Sequence, residues 1–506
     1  MSRAAKVRCL QGGTFEFFDD VHASGSVKDV FLSPDASYVA ALYKSPQADS
    51  AKDRLAKIVG AYRDDLMQPP GGQYWQQLFC WPEKTFEYNG RLGLVIPRYR
   101  REFWFEFGSY DNDFLNIKGK EKQGKWFATP QHQLRYLDAR ERGDWRNYVR
   151  ACIQMARAVA RLHRMGLAHS DLSYKNVLLD PVSGSACVID IDGLVVPNKF
   201  PPAVLGTADF IAPEVVKTSN LSLSDKRRRV PCITTDRHAL AVMIYMYLLY
   251  RHPLKGDKFH ADDPALDDKL MMGDRALFIE HPRDHGNRIV LSKRSLSEQK
   301  WGQRWLDTEA IPYTVAGPYL RPLFDRAFVD GLHDPNARPT AGEWEEALVR
   351  TVDLLLPCRN PSCQQKWFVL QTPKDIACPF CGALYRDTVP TLNFYSKDFR
   401  GDYTSEPHRL CVFESQELYL WHCDRNLFPG PQLSPSQLQR LAYFRKSEGQ
   451  WILVNEGLTK LLDATVDGQP KLIPVHTQFP LRVGQKLLLL GVGPGRAAVV
   501  QIFNSP

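Results

Sequence analysis

A short stretch between residues 169 and 190 holds side chains of the types, and in the order, needed to move a phosphoryl group. His169-Ser170-Asp171 is followed five residues on by Asn176, and the apolar run Cys187-Val188-Ile189 ends at Asp190. Phosphoryl transfer needs a carboxylate to orient the attacking hydroxyl, and metal ions to bridge the phosphates and spread the developing charge. In that chemistry Asp171 is the base, Asn176 a metal ligand, and Asp190 the ligand of the metal that bridges the outer phosphates. A second group is built from thiols, Cys358-x4-Cys363-x14-Cys378-x2-Cys381. Two cysteine pairs on separate knuckles suit a closed four-thiolate zinc site of structural type. Gly382, after the second pair, lets backbone amides turn toward the sulfurs.

These groups need elements to hold them. Val177-Leu-Leu-Asp180 reads as a strand, Pro181-Val-Ser-Gly184 as a turn, and the run to Ile189 as a return strand. The hairpin presents Asp171 and Asp190 to one cleft. Upstream, 27–31 and 38–44 are strand-like, 51–66 is helix-like and stopped by Pro69-Pro70, and 92–96 is an apolar strand. From about Asp144 the pattern turns helical, with Val149, Ile153, Ala156, Ala160 and Leu162 at helical spacing. The apolar run 239–250 is too short to span a bilayer and reads as a buried helix. Beyond Leu356 the composition changes. Alternating segments such as Glu417-Leu-Tyr-Leu-Trp421, Trp451-Ile-Leu-Val454 and Lys486-Leu-Leu-Leu-Leu490, with turn residues between them, are an all-β signature.

At 506 residues the chain exceeds one core. Its 44% hydrophobic and 24% charged residues exclude the disordered class. The net charge of +8 is mild for this length. It favours acidic partners such as nucleotides and gives no argument for nucleic acid. The basic run Lys226-Arg-Arg-Arg229 lacks interleaved aromatics and reads as a solvated face, or as a dock for an acidic segment. Of 11 cysteines, seven are scattered singly. That pattern implies a reducing compartment with one metal site, hence the cytoplasm. The start, MSRAAKVRCLQGG, has no apolar region behind its basic residues, so neither a secretory signal nor membrane attachment is expected.

Further motifs follow in order: Gly206-Thr-Ala-Asp-Phe-Ile-Ala-Pro-Glu214, then Asp236 opening the apolar helix, then Ala337-Arg-Pro-Thr340. With Asp171, Asn176 and Asp190 they resemble the eukaryotic-like Ser/Thr protein kinase family. The resemblance implies an α+β bilobal protein-kinase fold, with residues 1–100 as N-lobe and 101–355 as C-lobe, and a reaction using ATP and Mg²⁺ on a protein substrate. It further implies that Glu214 pairs with Arg338, that Asp236 braces the catalytic loop, and that Gly206-Thr207 belongs to the Ser/Thr-specific form of the substrate loop. In the N-lobe, Gly25 and Val30 fit the frame of the phosphate-covering loop. Lys44 in Val39-Ala-Ala-Leu-Tyr-Lys44 fits the strand lysine that reaches the phosphates, and Ile96, Pro97 and Tyr99 fit the strand and hinge that hold adenine through backbone groups.

The sequence departs from the family at several positions. Ser170 stands where regulated kinases carry Arg, and 191–206 contains no Ser, Thr or Tyr, so activation-segment phosphorylation is not expected before Thr207. Ser173 replaces a Lys, as in the RIO-type kinases. Ile191 and Asp192 replace Phe and Gly, and Asp192 reads as a solvated turn residue or a third metal ligand. Only one glycine of the loop is kept. The helix 51–66 has no Glu to pair with the lysine, leaving Asp53, Asp64 or Asp65 as substitutes.

The remaining modules are a zinc ribbon over 356–388 and a β-rich domain over 389–506. In the latter, Ala442-Tyr-Phe444, Gly449 and Trp451-Ile-Leu-Val-Asn455 loosely resemble an FHA-like sandwich. The Arg and Ser by which that family reads phosphothreonine have no counterparts in matching places, which leaves an FHA-like fold without phosphopeptide binding, or a generic sandwich or barrel. Kinase, zinc ribbon and β tail in this order resemble the bacterial kinase of the tellurite-resistance-associated phosphorylation triad. That resemblance implies a PP2C-type phosphatase and a von Willebrand A-type protein as partners. The alternative is a nucleotide-binding pseudokinase that serves as a scaffold for such a complex.

Overall fold

The computed structural model describes all residues except 1–3, 69–70, 197–198, 203–204, 223, 290, 292–302, 373, 398–400, 467, 494 and 505–506. The helix stop expected at Pro69-Pro70 and four positions of the 191–206 segment lie outside the described residues. The chain forms two compact units. The first comprises Met1–Gly143, Asn147–Tyr313 and Pro322–Glu345; the second comprises Asp144–Arg146, Thr314–Arg321 and Glu346–Pro506. The cysteine-bearing segment 356–388 and the β-rich 389–506 fall in the same unit.

The first unit opens with a hairpin of β1 (Ala4–Arg8) and β2 (Thr14–Phe18). A five-stranded antiparallel sheet follows in the order β3-β4-β5-β7-β6, from Ala23–Ser24, Lys28–Leu32, Tyr38–Tyr43, Arg91–Pro97 and Lys84–Tyr88 respectively. Successive side chains of a strand point to opposite faces. On one face, Phe31 of β4 and Ala40 and Leu42 of β5 pack with Phe17 and Phe86 into an apolar cluster. On the other, Lys28, Val30 and Leu32 of β4 and Val39 and Ala41 of β5 line a cavity. The helix expected over 51–66 is two helices, α1 (Asp49–Val59) and α2 (Ala61–Leu66), separated at Gly60. Glycine is a poor helix former, and Gly60 leaves helical geometry at ψ −110°.

The rest of this unit is mostly helical. The helix Trp145–Arg164 begins within three residues assigned to the second unit and runs on through the first. Ile233–Leu249 is buried on all sides from Thr235 onward, except at Arg237. Such a helix belongs in a core, not at a surface. Between them, β8 (Val177–Asp180) and β9 (Ser185–Val188) form the expected antiparallel hairpin. Among the described residues, no helix is long and apolar enough to cross a membrane.

In the second unit, β10 (Leu355–Pro357) pairs with β11 (Trp367–Val369) beside the cysteines. The tail is two antiparallel sheets. One has six strands in the order β13-β12-β21-β20-β17-β18, from Tyr403–Cys411, Thr388–Lys397, Ala497–Asn504, Lys486–Leu488, Leu462–Asp463 and Lys471–Leu472. The other has four, β14-β15-β16-β19, from Glu417–Tyr419, Arg440–Ser447, Gln450–Asn455 and Gln478–Pro480. Side chains from both sheets, among them Phe394, Leu410, Phe444, Trp451, Leu453 and Leu487, form one buried core. The strand expected over 417–421 turns helical after Tyr419.

Candidate active site

The loop that carries Asp171 is fixed from below. Asp236, at the start of the buried helix, accepts the backbone N–H groups of His169 at 2.7 Å and Ser170 at 3.2 Å. The His169 ring contacts the carbonyl of Ile189 at 2.9 Å, which ties the loop to the strand that ends at Asp190. Ser170 sits at φ 69° and Asp190 at φ 61°. Non-glycine residues held there persist only where the surroundings over-determine them, and such positions cluster at functional sites. Gly206, at φ +106°, lets the segment pass close by: a β-carbon on it would stand 3.8 Å from the Asp171 carboxylate.

Asp171 has three polar contacts on one side. Its Oδ1 accepts the Thr207 hydroxyl at 2.9 Å, and its Oδ2 and backbone carbonyl accept the Asn176 amide at 3.0 and 2.8 Å. The Thr207 hydroxyl also lies 3.3 Å from the Ser173 hydroxyl, so Ser173 faces the same spot. Lower in the fold, Glu214 and Arg338 form a two-pronged pair at 2.9 and 2.7 Å, with the Arg338 side chain buried.

Asn176 and Asp190 line a cavity of about 560 Å³. That is the size of a small-molecule or cofactor site. Its walls include Gly25, Val30, Val39, Ala41, Ile96, Pro97, Tyr99 and Ile189, and its polar end holds Lys28, Lys175, Asn176, Asp190 and Asp192. Apolar walls beside a cationic and carboxylate-rich end suit a nucleotide base with its phosphates and their metal. At the hinge, several backbone groups already have protein partners. The Pro97 carbonyl accepts the Cys80 thiol at 3.2 Å, Arg98 N–H donates to Ser37 at 3.0 Å, and the Tyr99 carbonyl accepts the Trp104 indole at 3.1 Å.

Lys44 is not among the cavity residues. It follows β5 in the parity of Ala40 and Leu42, and its ammonium lies 3.5 Å from Asp29, 39% exposed, on the far side of the sheet. Tyr43 takes the cavity-side place, and its hydroxyl donates to Asp192. The strand lysine that lines the cavity is Lys28 of β4. Its ammonium stands 2.8 Å from Asp192 and 3.1 Å from Asp190. Asp192 is therefore neither solvated nor a plain turn residue. Burial alone would raise its carboxyl, but Lys28 and Tyr43 hold it well below the usual range. Burial and the Asp192 charge push Asp190 up, against the pull of Lys28. Asp53, Asp64 and Asp65 are all exposed and none lines the cavity; Lys44 pairs with Asp29, and Lys28 with Asp192.

Sequence reasoning missed Lys28, Tyr43 and Glu121. Strand parity gave the signal for the first two: Val30 and Ala41 are cross-strand partners facing the cavity, so Lys28 and Tyr43, also paired, must face it as well. Glu121 lines the cavity from a segment with no recognisable motif, and burial raises its carboxyl.

In the second unit, the sulfurs of Cys358, Cys363, Cys378 and Cys381 all lie within 4.8 Å of one another, with Cys358 3.6 Å from Cys381 and Cys363 3.9 Å from Cys378. A tetrahedron with metal–sulfur bonds of 2.3 Å has edges of roughly 3.8 Å, so the donor set fits one metal ion. Backbone amides of Asn360, Gln365, Lys366, Phe380 and Cys381 point at the sulfurs. Gly382, at φ 77°, makes the turn behind the second pair.

No protein-family model matches the chain, and no curated protein matches it. Among solved structures it is similar to one described as the Toxoplasma gondii specific rhoptry antigen kinase domain. The two are 14% identical with a TM-score of 0.34, over 55% of this chain and 84% of that one.

Proposed function

We propose that this protein is an ATP- and Mg²⁺-dependent protein kinase of bilobal fold that phosphorylates serine or threonine hydroxyls. One observation carries the reading. Asp171 already accepts an alcohol proton, from Thr207, while the Asn176 amide links it to the cavity that Asp190 lines. A carboxylate that receives a hydroxyl in this way orients it for attack. Mg·ATP, when bound, supplies the phosphoryl group and the charge that bridges its oxygens. Asn176 and Asp190 would hold the metal. Gly25, Val30, Ile96, Pro97 and Tyr99 would enclose the nucleotide, and Thr207 would yield its place on Asp171 to the acceptor hydroxyl. Asp236 and the Glu214–Arg338 pair keep the loops in register.

The four cysteines hold Zn²⁺ in a structural role, and the two-sheet tail is a partner-binding domain of FHA-like type. The sulfur geometry supports the first statement and the sandwich of six and four strands the second.

Incubation with Mg²⁺ and labelled ATP tests the kinase reading. Transfer of label to a generic serine or threonine acceptor is expected to fall about 10²–10⁴-fold in Asp171→Asn, the contribution of a positioned base. Binding of ATP by the wild-type protein without any transfer would instead support the pseudokinase scaffold. For zinc, metal analysis of the purified protein is expected to give one ion per chain, lost in Cys378→Ser.

A further inference from the structure

We propose that Lys28 of β4, not Lys44 beyond β5, is the cation that takes hold of the nucleotide's phosphates. The inference rests on the kinase reading above and deepens it by naming the group that anchors the substrate's charge.

Three observations converge. Lys44 has the wrong parity: it points with Ala40 and Leu42 away from the cavity and toward Asp29. Lys28 has the right parity and the right neighbours. It lines the cavity with Val30 and Leu32, and it stands within 3.1 Å of both Asp190 and Asp192 at the polar end. Its side chain is only 17% exposed. The third observation is the charge count. Locally, the two carboxylates around the Lys28 ammonium leave an excess negative charge, with Lys175 and Arg98 the other cations that line the cavity. A divalent metal on Asp190 reverses that sign and frees Lys28 to turn to the phosphates, while Asp192, fixed by the Tyr43 hydroxyl, remains behind the ammonium. The four-carbon stem of a lysine allows this shift, since its ammonium is a compact point charge on a flexible chain.

The consequence is an ion pair that takes no carboxylate from the first helix: Asp192 comes from the same turn as Asp190, and Tyr43 from the central strand, while α1 packs against that turn.

An acyl phosphate of ATP tests the assignment on the wild-type full chain. The amine nearest the phosphates attacks the acyl carbon, an amide forms, the acyl–oxygen bond breaks and ATP leaves. Mass spectrometry is expected to find the acyl group on Lys28, suppressed by excess Mg·ATP. Label on Lys44 with Lys28 untouched overturns the proposal. As a second measurement, Lys28→Met is expected to lower kcat/KM for ATP about 10²–10³-fold, the effect of removing one preorganised charge donor. Lys44→Met, an exposed position, is expected to stay within about twofold. Equal losses in the two variants overturn the assignment. If the wild-type protein binds no Mg·ATP and shows no ATP-protected label at all, the kinase reading itself fails, an outcome distinct from a wrong choice of lysine.

Discussion

The first unit contains two constellations that look alike on paper, each an ammonium between two carboxylates. Around Lys122, Glu141 and Asp180 both stand at 2.8 Å. Around Lys28, Asp192 and Asp190 stand at 2.8 and 3.1 Å. The difference lies in what surrounds them. The Lys122 cluster is closed: its side chains are 6%, 1% and 5% exposed, and spare carboxylate oxygens are taken by the N–H groups of Phe107, Gly108 and Ser183. The Lys28 cluster faces a cavity, and Asp190 is 51% exposed. A charge cluster whose hydrogen-bonding capacity is filled by the protein holds the fold together. One with capacity left over, aimed into a cavity, is available to a ligand.

The sharpest way to break this contrast is to delete each ammonium in turn. Lys122→Met strands two buried carboxylates, and breaking a buried pair from one side costs about 3–5 kcal/mol. Urea unfolding of this variant is expected to show a loss of that size, with Mg·ATP affinity retained in the folded fraction. Lys28→Met strands one buried carboxylate, Asp192, which keeps the Tyr43 hydroxyl, and leaves Asp190 open to water, so its loss of stability is expected to be about half as large. Equal destabilisation by the two substitutions would erase the distinction.

The contrast also shows what the sequence could and could not disclose. The placement of Asp171 beside Asn176, the Asp236 brace and the Glu214–Arg338 pair were legible because each residue sits in a short local frame whose spacing follows from one loop or one helix start. The hairpin 177–188 and the buried helix were legible from apolar pattern alone. The cation was not, because a motif frame counts residues while a strand counts parity. Lys44 satisfied the frame, but its place one residue beyond Tyr43 put it on the opposite face of the sheet. The role of Asp192 was hidden for another reason. Its partners, Lys28 and Tyr43, are 164 and 149 residues away, a pairing that only the folded chain brings about. The thiol cluster was legible because four cysteines in two knuckle-spaced pairs stand out by type and spacing.

A second prediction concerns pH. Asp190, although half exposed to the cavity, is raised by desolvation of its buried side and by the adjacent Asp192 charge. It therefore takes up a proton, and loses the charge that would hold a metal, at higher pH than an ordinary aspartate. Mg·ATP affinity is expected to fall on the acid side beginning above the usual aspartate value of about 3.8. Lys28→Met removes a charge that lowers Asp190, so this acid limb moves to higher pH. Asp192→Asn removes a charge that raises it, so the limb moves to lower pH. The closed cluster behaves oppositely. Burial opposes the charge on Lys122, but Asp180 and Glu141 outweigh it and hold its pKa up. A raised lysine contributes stability that is full below its unfolded value of about 10.4 and is lost only as pH rises through the folded one. Binding curves of a fluorescent ATP analogue at several pH values, beside unfolding curves at the same values, check both signs. An acid limb that ignores both substitutions would show that Asp190 does not carry the metal.

The smallest effects separate the clusters most cleanly, because they remove a single hydroxyl from each. Tyr43 donates to Asp192 and Ser183 donates to Asp180 at 2.6 Å. In Tyr43→Phe, Asp192 loses a neutral donor and draws more strongly on Lys28, which makes the ammonium harder to hand to a phosphate. The Kd for Mg·ATP is expected to rise about fivefold, the equivalent of ~1 kcal/mol for one hydrogen bond. In Ser183→Ala the Asp180 carboxylate keeps Lys122 and the Ser183 amide, so stability falls by at most about 1 kcal/mol and nucleotide affinity stays put. Isothermal titration with Mg·ATP and urea unfolding, run on both variants, should therefore give crossed results. A Tyr43→Phe protein with wild-type affinity would mean that Asp192 holds Lys28 equally well without its third partner, and that the open cluster is less finely balanced than its geometry suggests.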